Sequence, residues 1–248
     1  MKGTLQLKTA PASEPVTLTE AKAHMRVDIS DDDTLITSLL LAARRFIENY
    51  TGIRMITQTW YYRLDAFPSA DVLVLPVGPV SAISSIKYTD SALVEHTFAS
   101  ASYSTDLASM PARIGLRDGY SWPSATLDVL NGVVVEFVCG FNAASTLAAA
   151  RAGLVAAEAT VAAATAETLA AAQTALAAAQ VTLTAAETAE ASAVPEDIRT
   201  AMKLLVSHWY ENREGVTTQK FEELPLGIQS LISQHKMWQG GGKCAQDC

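Results

Sequence analysis

The chain has 248 residues, three cysteines and a formal net charge of −8, and 49% of its residues are hydrophobic. This length and apolar content allow a sizeable core without disulfides. The excess of acid argues against a surface that grips nucleic acid, because duplex binding depends on Lys and Arg replacing condensed counterions. The few cysteines favour synthesis in a reducing cytoplasm, and the absence of an apolar signal-peptide run near Met1 argues against secretion by that route.

Two helices are expected near the start, the first ordered element being a short helix over about 17–26. Thr17 and Glu20 have capping-box spacing. The second helix has Ser30 as its expected cap, an acidic run at 31–33 that opposes the helix dipole, and Gly52 as its stop. Its apolar stripe comprises Ile36, Leu39, Leu40, Ala43, Ile47 and Tyr50. A helix N-terminus explains the acidic run without a metal.

From residue 56 the apolar period changes to two, which indicates β-strands. Strands are expected over 56–64, 72–75, 83–88, 94–98 and 132–139, with Gly- and Pro-rich turns between them. The predicted fold class is therefore α+β, with helices from both ends packed beside a small β-rich region.

The segment 143–193 differs sharply in composition, because 25 of its 51 residues are alanine and Gly153 is its only glycine or proline. Alanine has the highest helix propensity, so we predict a helical segment. Its larger apolar residues recur mostly every seven positions and form one narrow seam: Leu147, Leu154, Val161, Leu169, Leu176 and Leu183.

Two geometries fit this segment, a single long helix or an antiparallel helical hairpin that turns near 162–168. A single helix of this length would carry the chain about 75 Å away at 1.5 Å per residue. Neither Gly nor Pro marks a turn, so the residues alone leave both geometries open. The charge-free run 168–186 is long enough to cross a membrane, but it is mostly alanine with Gln173 and Gln180, so helical packing is the preferred interpretation.

A last amphipathic helix is expected from Pro195, placed at the first helical position, with Glu196 and Asp197 behind it and Gly215 as a left-handed cap. Its apolar stripe comprises Ile198, Ala201, Met202, Leu205 and Trp209. The opposite face, with Arg199 and Lys203, is expected to stay in water.

The sequence contains no constellation typical of catalysis or metal binding. The segment 119–123 lacks the second glycine of a nucleophile elbow, and 240–243 lacks the spacing of a phosphate loop. The four histidines are scattered, and Cys244 and Cys248 have no second pair. We therefore predict no enzyme activity, no catalytic residue, no cofactor and no metal.

Several short motifs resemble, in order and spacing, the head-tail connector (adaptor, or head completion) proteins of long-tailed bacteriophages and gene transfer agents. The C-terminal ones are P-x-x-I-R-x-A at 195–201, H-W-Y-x-N-R-E at 208–214 and L-P-x-G at 224–227. The N-terminal ones lie at 15–22, 24–28, 31–33, 50–52 and 58–60. The resemblance covers roughly 14–142 and 194–236, so that the alanine-rich segment departs from the family pattern. In the family the strand ending near 141 joins the last helix through a short loop, which implies that the two ends of this segment lie close together and favours the hairpin.

The resemblance implies a connector domain over 1–142 and 194–238, an alanine-rich helical insertion over 143–193 and a flexible tail over 239–248. It further implies a structural protein of the virion neck, a ring of twelve subunits below the portal that extends the DNA channel and docks a tail-side neck or terminator protein. DNA would pass without specific binding, and no membrane would be involved. Candidate partner-interface residues are Trp209, Tyr210, Arg213, Leu224, Pro225 and Leu226; for Trp209, Tyr210 and Arg213, packing within the subunit is the favoured role.

An alternative from another class is a helical scaffold or adhesion module in which the alanine-rich segment is the functional part. A small hydrolase with an unrecognised site is a third interpretation.

Overall fold

The computed structural model describes residues 3–141, 144–165, 168–212 and 226–237. Its elements in chain order are β1 (Thr4–Thr9), α1 (Leu18–Met25), α2 (Asp33–Thr51), β2 (Gln58–Leu64), β3 (Val72–Val74), β4 (Val80–Thr89), β5 (Glu95–Thr97), a 3₁₀ turn (Ser100–Ser102), β6 (Tyr103–Asp106), β7 (Arg113–Leu116), β8 (Val133–Cys139), α3 (Ala144–Ala163), α4 (Leu169–Ala193), α5 (Glu196–Glu211) and α6 (Leu226–Ser233). The mixed α+β class predicted from the sequence is confirmed.

The strands form two antiparallel sheets, one of five strands in the order β1-β2-β8-β4-β5 and one of three in the order β3-β7-β6. In the larger sheet β8 pairs along its whole length with β2, from Gln58 opposite Cys139 to Leu64 opposite Val133. Alternate residues of β8 are buried, namely Val133, Val135, Phe137 and Cys139. They face a core shared with the smaller sheet, which includes Leu73 and Ile114.

A second core is helical, and α1, α2, α5 and α6 pack around it. Its fully buried members include Ile36 and Ile47 of α2, Ile198 and Leu205 of α5, and Ile232 of α6. The expected stripes of α2 and α5 supply half of its buried residues, so helices from both ends of the chain do pack together beside the β-rich region.

The alanine-rich segment forms two helices, α3 and α4, that pack against each other, and the chain reverses direction between Ala163 and Leu169. The predicted hairpin is confirmed, and the single long helix is wrong. The seam is only half-buried at Leu154, Val161, Leu176 and Leu183, and Leu169 is exposed. Because an alanine seam buries little area per residue, the two helices contribute a thin hydrophobic contact.

The N-terminal expectations hold in part. Thr17 and Glu20 form the capping box of α1, and Gly52 ends α2 in a left-handed conformation. The expectation that α1 is the first ordered element is wrong, because β1 precedes it as an edge strand on β2. Ser30 does not cap α2; the cap residue is Asp32, without a side-chain capping hydrogen bond.

Further along the chain, β6 and β7 were not predicted, since these four-residue strands lack a clear apolar alternation. Pro195 is the cap residue before α5 and not its first helical residue. Gly215 lies outside the described residues.

Candidate partner-binding surfaces

A group of aromatic and basic side chains lies where α2, α5 and the end of α6 meet. Phe46 stacks on Tyr50 with ring centroids 6.5 Å apart and meets the half-buried Trp209 edge-on at 6.1 Å. The Lys236 ammonium lies 5.1 Å from the centre of the Tyr50 ring. These four residues, called the aromatic–basic surface, place three aromatic rings next to one exposed cation, and aromatic residues are enriched at protein interfaces.

Tyr210, the neighbour of Trp209, is engaged within the subunit. Its hydroxyl donates a hydrogen bond to Asp32 Oδ2 at 2.6 Å, which ties α5 to the start of α2. Of the other candidate interface residues, Arg213, Leu224 and Pro225 lie outside the described residues. Leu226 is the first residue of α6, so residues 226–228 are helical. This corrects the expectation of a turn at the L-P-x-G motif.

Arg199 and Lys203 are not in water, contrary to the sequence prediction. The Arg199 side chain is only 14% exposed; its guanidinium pairs with Glu20 at 2.5 Å and with Glu196 at 2.7 Å. Its Nε donates to the Pro15 carbonyl at 3.0 Å. The Lys203 side chain is 18% exposed and pairs with Glu196 at 3.2 Å. The face was misassigned because α1 packs on α5 there.

The Arg199 pair also sets the charge state of Glu20. Burial would raise the pKa of Glu20, but hydrogen bonds from Thr17 and the charge of Arg199 outweigh it and lower that pKa. The carboxylate therefore stays ionised and holds α1 against α5.

A buried polar network that sequence reasoning missed joins α2 to the start of β2. The Glu48 carboxylate accepts hydrogen bonds from Arg44 at 3.1 Å, from the Met55 amide at 3.0 Å and from Gln58 Nε2 at 2.9 Å. Arg54 Nη1 lies 3.9 Å from the same carboxylate, and its guanidinium lies over the Trp60 ring. The signal was present in the sequence, since Arg44 and Glu48 fall on the apolar stripe of α2.

Glu14 completes this network from the chain segment before α1. Its carboxylate accepts from Arg44 Nε at 2.7 Å. Burial raises the pKa of Glu14 by more than the nearby Arg44 charge lowers it. Two arginines and two glutamates thus balance one another where the helical and sheet cores meet, and they fix the position of one core on the other.

At one end of the larger sheet, two loops expose aliphatic side chains. The loop between β4 and β5 carries Leu93 and Val94, and the loop before β8 carries Val129 and Leu130; all four are exposed, Leu93 by 73% and Val129 by 83%. The two loops are joined by backbone hydrogen bonds from Ser91 to Thr126 and from Asp128 to Thr89. They are called the sheet-end loops, defined as residues 90–94 and 126–131.

The sheet-end loops are held in shape by carboxylates. Asp90 accepts from the amides of Ala92 and Val94, and Asp65 accepts from the amide of Asn131. Leu93 has a left-handed backbone with φ of +63°. A hydrophobic side chain that is both exposed and in this conformation costs stability, which favours a binding role for it.

The helical hairpin is fastened at its base by Glu190, near the end of α4. This side chain is 1% exposed; Oε1 accepts from the Thr57 amide at 2.9 Å and Oε2 from the Ser13 hydroxyl at 3.3 Å. Beyond this base the outer faces carry exposed Val155 and Val181. The hairpin is therefore a projecting arm with a buried point of attachment at Glu190.

The described residues form surfaces suited to binding a partner more clearly than a site suited to catalysis. Among them, no group of three or more His, Cys, Asp or Glu side chains could hold a metal ion. By length and composition alone, helix α4 could cross a membrane, but one such helix is weak evidence for a membrane protein. Helix α4 packs along α3 and carries the buried Glu190 near its end.

The fold and these surfaces define a protein built from packed helices, two small sheets and a helical arm. The sequence pattern of the phage gp6-like head-tail connector protein family matches residues 15–110 and 154–236. Because this match spans more than half of the chain, the protein belongs to that family. The match includes α4 and part of α3, so it reaches into the segment that was expected to depart from the family pattern. No curated protein matches the chain.

Solved structures share the fold over nearly the whole chain. A chain from the neck of an empty gene transfer agent (GTA) particle, computed with C6 symmetry, has a TM-score of 0.65. Chains from the virion of a native GTA particle and from a native GTA neck computed with C12 symmetry have TM-scores of 0.66 and 0.63. In each case the identity is 21%, and 97% of this chain and 98% of the other are covered.

Proposed function

We propose that this protein forms the head-tail connector ring in the neck of a virion, below the portal, where it extends the DNA channel and docks the tail. The observation that carries the proposal is membership of the connector family, supported by a fold shared with chains of GTA necks. A ring of twelve copies agrees with the C12 symmetry of one of those necks. The protein would be made in the host cytoplasm and act in the virion, away from membranes.

The proposed partners are the neighbouring copies, the portal protein and a tail-side neck or terminator protein. Trp209 and Tyr210 close the helical end of the subunit, and Arg213, Leu224, Pro225 and Leu226 follow in the chain. We propose Trp209, Tyr210 and Arg213 as candidates for the contact between neighbouring copies, and residues 224–226 as a contact with the portal. Aromatic residues and Arg are the types expected at a contact between subunits.

Charge supports a passive role toward DNA. A channel that passes DNA must not hold it, and a chain with a net charge of −8 repeated around a ring gives an acidic lumen that repels phosphate. DNA would thus pass without specific binding. An assembled ring whose bore is lined by Lys and Arg would refute this part of the proposal.

The test is a particle that lacks the protein. Deleting its gene is expected to give DNA-filled heads without tails, counted by negative-stain electron microscopy, and a plasmid copy should restore tailed particles. A matched complementation with the exposed-site variant Glu158→Ala should work equally well, because Glu158 lies in the exposed part of α3. Normal tailed particles from the deletion strain would reject the connector function.

A second candidate function is that of a scaffold or adhesion module, with the hairpin as its functional part. The observation in its favour is the arm's exposed outer face with Val155 and Val181. Removing 155–177 and closing the shortened hairpin with a Gly-rich turn separates the two functions. A connector is expected to assemble tailed particles with the short arm, whereas a scaffold or adhesion module would lose its activity entirely.

A further inference from the structure

We propose that the sheet-end loops of one subunit dock on the aromatic–basic surface of the next copy, and that this contact closes the ring. The inference rests on the proposed ring function. Ring contacts are heterologous, so each subunit must present two different and complementary faces. The described residues offer two such faces, one at the sheet end and one at the helical end.

The sheet-end face is aliphatic with an acidic rim. Leu93, Val94, Val129 and Leu130 stand out from loops whose backbones are fixed by Asp90, Asp65 and Asp128. Each of these carboxylates accepts a hydrogen bond from a backbone amide, so the rim is both acidic and ordered. A rigid face binds with less entropy loss than a mobile one.

The helical face has the opposite character. Phe46, Tyr50 and Trp209 form a connected set of rings, with the Lys236 ammonium beside them. Glu211 follows Trp209 by two residues, which places it on the opposite side of α5. The rings suit aliphatic side chains, and the Lys236 cation suits the acidic rim.

Charge favours a second copy with this pairing over a random contact between copies. With a net charge of −8, two copies that meet through average surfaces repel each other. Self-association therefore needs a local reversal of sign. Lys236 supplies it opposite Asp65 and Asp128, while Asp90 is paired with His96 of its own subunit at 2.8 Å. The aliphatic side chains supply apolar area.

The test is a site-directed cross-link between two variants of the full chain, each with one added exposed cysteine besides the buried Cys139. In a background with Cys244→Ser and Cys248→Ser, Asn49→Cys reports the helical face and Val129→Cys the sheet end; both positions are exposed. The variants are mixed and treated with a short bis-maleimide. The expected result is a heterodimer in clear excess over the control mixture of Asn49→Cys with Val181→Cys, whose site is 70% exposed on α4.

Charge reversal gives a second readout on the same pair. Asp128→Lys in one partner, or Lys236→Glu in the other, is expected to lower the cross-link yield about tenfold, and combining them should restore it. A yield no higher than the control, or capture of the sheet end by another protein in its place, overturns the proposal. Immunogold labelling of the neck tests the ring function separately: labelled necks without this cross-link would refute the contact alone.

Discussion

The buried Glu48 network gives the sharpest test of how the two cores are joined. Glu48→Ala removes three hydrogen bonds of 2.9–3.1 Å and leaves Arg44 and Arg54 buried, with only Glu14 remaining to pair with Arg44. Removing one partner of a buried ion pair costs about 3–5 kcal/mol, since an uncompensated charge stays in the interior. For a chain of this size that corresponds to a fall in Tm of roughly 10 °C.

Unfolding should be followed by tryptophan fluorescence, because Trp60 stacks on Arg54 beside the network while far-ultraviolet circular dichroism would be dominated by the helical arm. Glu48→Gln keeps the shape and one acceptor oxygen, so we expect a loss of about 2 kcal/mol. Glu158→Ala, on exposed α3, is the matched control and should change stability by less than about 0.5 kcal/mol. If Glu48→Ala unfolds within that same margin of the unmodified protein, the reasoning fails.

Three further outcomes follow from single side chains. Glu190→Ala should cost about 3 kcal/mol of local stability and speed hydrogen exchange at Thr57 and along α4, measured by mass spectrometry; unchanged exchange there would show that Glu190 does not fasten the arm. Tyr210→Phe should lower the free energy of unfolding by about 1 kcal/mol through loss of its bond to Asp32, and denaturant titration would contradict this by giving no difference. Hydrogen bonds from Ser109 and Arg113 lower the pKa of Asp106 to about 2 from 3.8, so its stabilisation is present above pH 3.8 and is lost as the pH falls through 2; Asp106→Asn should flatten the acid limb of stability against pH, and an identical limb in both proteins would refute it.

Local signals in the sequence predicted most of the helices. The capping box at Thr17, the left-handed stop at Gly52 and the apolar stripes of α2 and α5 act over a few residues, so they can be seen in sequence alone. The hairpin was predicted from the resemblance to the connector family, which implies that the two ends of the alanine-rich segment lie close together, whereas a single long helix would separate them. The edge strand β1 was missed although residues 4–9 alternate, because its partner β2 lies about fifty residues away.

The misassigned side chains share one physical cause, which is tertiary packing. Arg199 looked exposed on the helical wheel of α5, but α1 covers that face and supplies Glu20 as its partner. The positions of Arg44 and Glu48 on the apolar stripe indicate burial, but the further donors to Glu48, the Met55 amide and Gln58, come from beyond the helix and have no local signal. The sheet-end loops join residues far apart in sequence, so no local pattern marks Leu93 and Val129 as neighbours.

Electron cryo-microscopy of the particle neck tests the connector function most directly. We expect density for this chain as a ring of twelve copies between the portal and the tail, and the fold described above should fit each copy. A neck whose ring is built entirely from other proteins, in particles that contain no copy of this chain, would contradict it.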